Sequence, residues 1–102
     1  MILFDKTIRQ HASDGTPFPE VLSRRGIVPG IKVDKGTVAL AGFPGEKATE
    51  GLDGLRGRLA EYGELGARFT KWRAVIAIGA GLPSDACIAA NAELLARFAA
   101  LS

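Results

Sequence analysis

The sequence predicts an α/β protein built on parallel strands, and three observations carry that expectation. Short β-like runs at residues 2–8, 27–34 and 69–78 alternate with helical runs at about 17–25, 49–65 and 84–101. Each connection between successive β-like runs holds a helical stretch, so the strands should lie parallel and be joined by right-handed crossovers. No closely similar segment recurs, so the repetition is one of architecture alone. At 102 residues the chain lies within the size of one domain, and a single domain over residues 1–102 is expected.

Each element has its own signals. Ile2-Leu3-Phe4-Asp5-Lys6-Thr7-Ile8 reads as the first strand. Asp14-Gly15-Thr16-Pro17 then punctuates the chain, and Pro17 and Pro19 suit the first turn of a short helix. That helix runs through Glu20–Arg25 and stops at Gly26. The second strand, 27–34, ends in Asp34-Lys35-Gly36, and residues 36–48 read as loop, with Gly36, Gly42, Pro44 and Gly45. The next helix is expected from about 49 to 65 with Thr49 as its N-cap. Leu52, Leu55, Leu59 and Tyr62 form its apolar stripe. Gly54 and Gly57 each weaken it by roughly 1 kcal/mol against alanine. The third strand is β-branched and aromatic at Trp72, Val75, Ile76 and Ile78. Ser84 is a good N-cap for the last helix, with Asp85 in its dipole-favoured first turn. Ile88, Leu94, Leu95, Phe98 and Leu101 make the apolar face of that helix. Asn91 interrupts the stripe and needs a partner if buried.

Composition excludes several classes. Hydrophobic residues at 47% and charged residues at 24% describe an ordinary folded chain. The net charge of +2 comes from scattered basic residues, with Arg24-Arg25 the only adjacent pair, so no nucleic-acid footprint is expected. The longest uncharged apolar run, Ala74–Leu82, is half of what a membrane span needs, and no secretory leader is legible before Asp5. One cysteine, Cys87, rules out an internal disulfide and fits a reducing compartment, so a cytoplasmic location and no membrane are expected.

Buried parallel strands normally read as continuous apolar runs. Two of these three break that rule alike. Lys32 and Asp34 sit two residues apart and share one face of their strand, and Lys71 and Arg73 do likewise, opposite Trp72. Either this face meets solvent, or it lines an enclosed polar site where three cations bind an anion and Asp34 balances one of them. Crowded cations would also depress a lysine's pKa and improve it as a nucleophile or proton carrier. Position alone leaves both readings open. Gly79-Ala80-Gly81 lacks the third glycine of a dinucleotide fingerprint and reads as a helix-entry loop. His11 reads as a surface residue, and Cys87 as a packed one.

Five segments in order resemble the class I fructose-bisphosphate aldolases. They are Asp14-Gly15-Thr16-Pro17-Phe18-Pro19, Gly30-Ile31-Lys32-Val33-Asp34-Lys35-Gly36, Glu50-Gly51-Leu52-Asp53-Gly54-Leu55, Lys71-Trp72-Arg73 and Leu95-Ala96-Arg97-Phe98-Ala99. The match is collinear over nearly the whole chain. It implies three consecutive β/α units, strands two to four, of an incomplete (β/α)8 TIM barrel. The family cleaves fructose 1,6-bisphosphate to dihydroxyacetone phosphate and glyceraldehyde 3-phosphate, with no metal or other cofactor. The resemblance implies that Lys71 positions substrate and assists proton transfer. It gives Lys32 the substrate's hydroxyl or phosphate oxygens and Arg73 the phosphate at the aldehyde-product end. Asp34 would hold the lysines in place.

In that family the Schiff-base lysine, the acidic general acid/base and the later phosphate loops come from strands that this sequence does not match. The chain is therefore expected to be inactive alone. Three parallel strands with helices on one face would leave a sheet face and two edges open, favouring self-association as a homo-oligomer. Three functions compete: a catalytic portion of an aldolase, a non-catalytic module that binds a sugar phosphate or a partner, and an inert structural piece.

Overall fold

In the computed structural model, which describes residues 1–102, the order of elements is β1 (Ile2–Leu3), α1 (Asp5–Ile8), α2 (Phe18–Arg24), β2 (Gly30–Lys32), β3 (Thr37–Ala39), β4 (Lys47–Thr49), α3 (Leu55–Leu65), β5 (Phe69–Lys71) and α4 (Asp85–Leu101). The backbone divides into two units. One is formed by Met1–Val33, Gly54–Lys71 and Ser102, the other by Asp34–Asp53 and Trp72–Leu101.

The first unit is a parallel three-stranded sheet in the order β1-β2-β5, as the alternating pattern predicts. Ile2 and Leu3 pair with Gly30 and Ile31, which pair in turn with Phe69 and Thr70. Alternation sends Leu3 and Ile31 to the side where Ile8, Val33, Leu55 and Tyr62 are also buried. Ile2, Phe4 and Phe69 point the other way and are exposed. Gly30 lies opposite Phe69, and its missing side chain matters. A Cβ there would come within 2.3 to 2.6 Å of three Phe69 ring carbons, so the ring lies over bare backbone.

The strands are shorter than the sequence suggests. The first run stops at Leu3, and Asp5–Ile8 turn into a helix whose N-cap, Phe4, has no side-chain cap bond. With no capping residue to announce it, this helix left no local signal. β5 ends at Lys71, and residues 74–78 lie outside any strand, with Ile78 89% exposed. Their β-branched side chains favour a strand only where a neighbour exists to pair with. The helix expected from Thr49 begins instead at Leu55, because Gly54 takes φ +67 as its N-cap, a conformation open to glycine.

The second unit pairs β3 with β4 as an antiparallel hairpin, where the sequence reads only loop. Thr37, Val38 and Ala39 face Thr49, Ala48 and Lys47. α4 packs against β4. The Ser84 cap forms as expected: its Oγ accepts the Cys87 N–H at 3.1 Å. Asn91 is buried and donates to the carbonyls of Lys47 and Cys87, each at 3.0 Å, which supplies the partner that the stripe demanded. Phe98 stacks on Trp72 at 5.2 Å between ring centroids, whereas Ile88 and Leu95 are exposed. The buried stripe of α4 therefore runs through Cys87 and Asn91, with Leu94, Phe98 and Leu101 half-buried along it, so that of the expected positions only Ile88 and Leu95 fall outside.

Candidate functional site

The four charged residues fall into two pairs, one in each unit. Lys32 and Lys71 are register partners on adjacent parallel strands. Their backbones are therefore about 4.8 Å apart and their side chains leave the same face. That face also carries the exposed Phe4 and Phe69. The Lys32 ammonium lies 5.9 Å from the centre of the Phe4 ring, near the limit of a cation–π contact. Phe4 thus joins the face as an aromatic neighbour that sequence reasoning missed. Period-two alternation through residues 2–4 was the available signal.

The ladder continues one step past Lys32, where the Val33 N–H donates to the Lys71 carbonyl at 3.0 Å. In the second unit a side chain then replaces the ladder. Asp34 is only 8% exposed, and its carboxylate accepts the Gly36 N–H at 3.2 Å and the Arg73 N–H at 3.1 Å. Arg73 is gripped from its other end as well. Thr49, 2% exposed, donates its hydroxyl to the Arg73 carbonyl at 2.7 Å. Arg73 as a whole is exposed. Its backbone is thus held at both polar groups while the residue stays open to solvent. Sequence reasoning read Thr49 as a helix cap and missed this bond. The alternation Lys47-Ala48-Thr49 was the only signal for it.

A second polar cluster lies in the same unit. Glu46, 2% exposed, accepts the Ser84 N–H at 2.6 Å and also the Ser84 hydroxyl. Those two bonds hold its carboxyl below the ordinary range, against the opposing effect of desolvation. In the first unit Asp5 is lowered likewise, by bonds from Arg9 and from the Tyr62 hydroxyl. No group of three or more His, Cys, Asp or Glu side chains is placed to hold a metal ion. No helix is long and apolar enough to cross a membrane. His11 is exposed and Cys87 buried.

Comparison with known proteins bears on the same residues. The family model described as "Glycolytic: Fructose-bisphosphate aldolase class-I" matches residues 1–102. The probable fructose-bisphosphate aldolase class 1 of Xanthomonas axonopodis pv. citri is 66% identical over 100 residues, covering 98% of this chain and 30% of that protein. The cytosolic fructose-bisphosphate aldolase 6 of Arabidopsis thaliana is 56% identical over 101 residues, covering 99% of this chain and 28% of its own length. Among solved structures, the aldolase of Plasmodium falciparum, crystallised with TRAP and a small-molecule inhibitor, superposes with a TM-score of 0.94. It is 46% identical, covering 98% of this chain and 29% of that one. The chain spans about 30% of the length of the curated relatives it matches. From the five collinear segments to the matched family model, the conclusion is the same: this chain belongs to the class I fructose-bisphosphate aldolase family.

Proposed function

We propose that this chain forms one wall of a class I fructose-bisphosphate aldolase site, as three consecutive β/α units of a (β/α)8 barrel within a single domain. The observation that carries the reading is the register of Lys32 against Lys71. Two cationic side chains that leave one face from adjacent strands make that face attractive to an anion. A sugar phosphate, fructose 1,6-bisphosphate, is the ligand that fits both this charge and the family. Lys32 binds its hydroxyl or phosphate oxygens, and Lys71 positions it and carries a proton. Arg73 offers a planar two-pronged donor to one phosphate. Asp34 holds the Arg73 backbone through its N–H. The reaction is reversible aldol cleavage to dihydroxyacetone phosphate and glyceraldehyde 3-phosphate. The imine-forming lysine belongs to a part of the family barrel outside the matched segments. A cytoplasmic location is supported by relatives named cytosolic.

Calorimetric titration of this chain with fructose 1,6-bisphosphate tests the binding half of the reading. Lys32→Ala and Lys71→Ala should each weaken binding by about tenfold or more, as loss of a charged hydrogen bond implies. Equal binding by wild type and both variants would sink the assignment. Borohydride reduction with dihydroxyacetone phosphate should leave no adduct on this chain. A stable adduct would mean that the imine lysine lies within it.

A further inference from the structure

We infer that Thr49 is a positioning residue for Arg73, acting with Asp34 to aim the guanidinium of this exposed residue at its anion. The inference deepens the proposed sugar-phosphate site and rests on Arg73 being its phosphate arm. Arg73 follows the last residue of β5 by two positions and lies in no strand, so no ladder fixes its backbone. Its two main-chain polar groups are bound instead by side chains. The Asp34 carboxylate takes its N–H at 3.1 Å, and the Thr49 hydroxyl reaches its carbonyl at 2.7 Å.

Both of those side chains are buried, at 8% and 2% exposure, while the residue they hold is exposed. Burying a carboxylate and a hydroxyl is unfavourable unless each finds its partner. Here those partners include the main chain of the residue that carries the charge. Fixing the peptide groups on both sides of one Cα fixes the direction in which its side chain departs. A guanidinium reads a phosphate through two parallel bonds and loses that advantage when misaligned. Thr49 is held in turn by its pairing with Thr37 across the β3–β4 hairpin. Its hydroxyl therefore ties the arm to a hairpin that carries none of the four charged candidate residues.

Thr49→Val removes the hydroxyl and keeps the shape; Thr49→Ser keeps the hydroxyl. Ser84→Ala serves as a control that loses a cap elsewhere in the same unit. Relaxation of the ¹⁵N-labelled chain without ligand should show the Arg73 and Ala74 amides falling from an order parameter of about 0.85 toward 0.6 in Thr49→Val alone. Titration with fructose 1,6-bisphosphate, read on the Arg73 side-chain Nε–H resonance, should be weaker in Thr49→Val by about threefold to tenfold, restored in Thr49→Ser and unchanged in Ser84→Ala. Unchanged order in folded Thr49→Val, or equal weakening in Ser84→Ala, overturns the inference. A wild-type chain whose Arg73 signal ignores the bisphosphate overturns the phosphate-arm reading instead, and the ligand-free relaxation still decides whether Thr49 orders Arg73.

Discussion

Glu46 shows how one residue can govern the join between a loop and a helix. Its carboxylate sits under Ser84, taking that residue's N–H and hydroxyl, while the Ser84 oxygen caps the first turn of α4. Ser84→Ala removes the cap and one of Glu46's donors together. The cap alone is worth about 1 kcal/mol, so the urea midpoint should fall by at least that equivalent. The pH dependence has a definite sign. Glu46 is depressed below its ordinary 4.5 in the folded chain, so its stabilisation is complete above that value and is lost as pH falls through the lower folded value. Glu46→Gln should flatten the acid side of a plot of urea midpoint against pH; an unchanged slope would refute the linkage. The Ser84 cap and the need to pair Asn91 were both legible in the sequence, because each follows from a local rule. Glu46 was not, because nothing in Gly45-Glu46-Lys47 records that Ser84 folds back upon it. That contact spans 38 residues.

Elements differ in how much of themselves they announce. The parallel order of β1, β2 and β5 follows from alternating helices and strands, whereas the shared face of Lys32 and Lys71 depends on register, since a slip of one residue turns a strand's side chains over. Register does not follow. Only the fold brings Lys32 opposite Lys71 and Gly30 opposite Phe69. The hairpin went unread because β3 and β4 have three residues each, too few for alternation to stand out from the Gly42, Pro44 and Gly45 loop between them. The Gly30–Phe69 pair gives an element-scale prediction. Gly30→Ala must push the ring off the strand, losing an aromatic cross-strand cover worth about 1 kcal/mol or less. In a Phe69→Ala background the same substitution should lose that penalty. A full penalty there would mean that the added methyl meets something other than the ring.

At the scale of the whole molecule, β1 and β5 are both edges of their sheet, and Ile2, Phe4 and Phe69 stand exposed on one face of it. Open edges beside apolar surface favour association. Sedimentation equilibrium should give a mass that rises with concentration, and Phe69→Lys should lower it; a cooperatively folded monomer at every concentration would contradict this. The division into two units has an optical consequence. The chain holds one tyrosine and one tryptophan. Tyr62 lies in the first unit, where the residue is buried and its hydroxyl donates to the Asp5 carboxylate. Trp72 lies in the second, stacked on Phe98 with its indole N–H unbonded. Each unit thus carries its own chromophore, and melting of the two can be followed in one cuvette at two wavelengths without a label. A single cooperative domain requires the two curves to coincide.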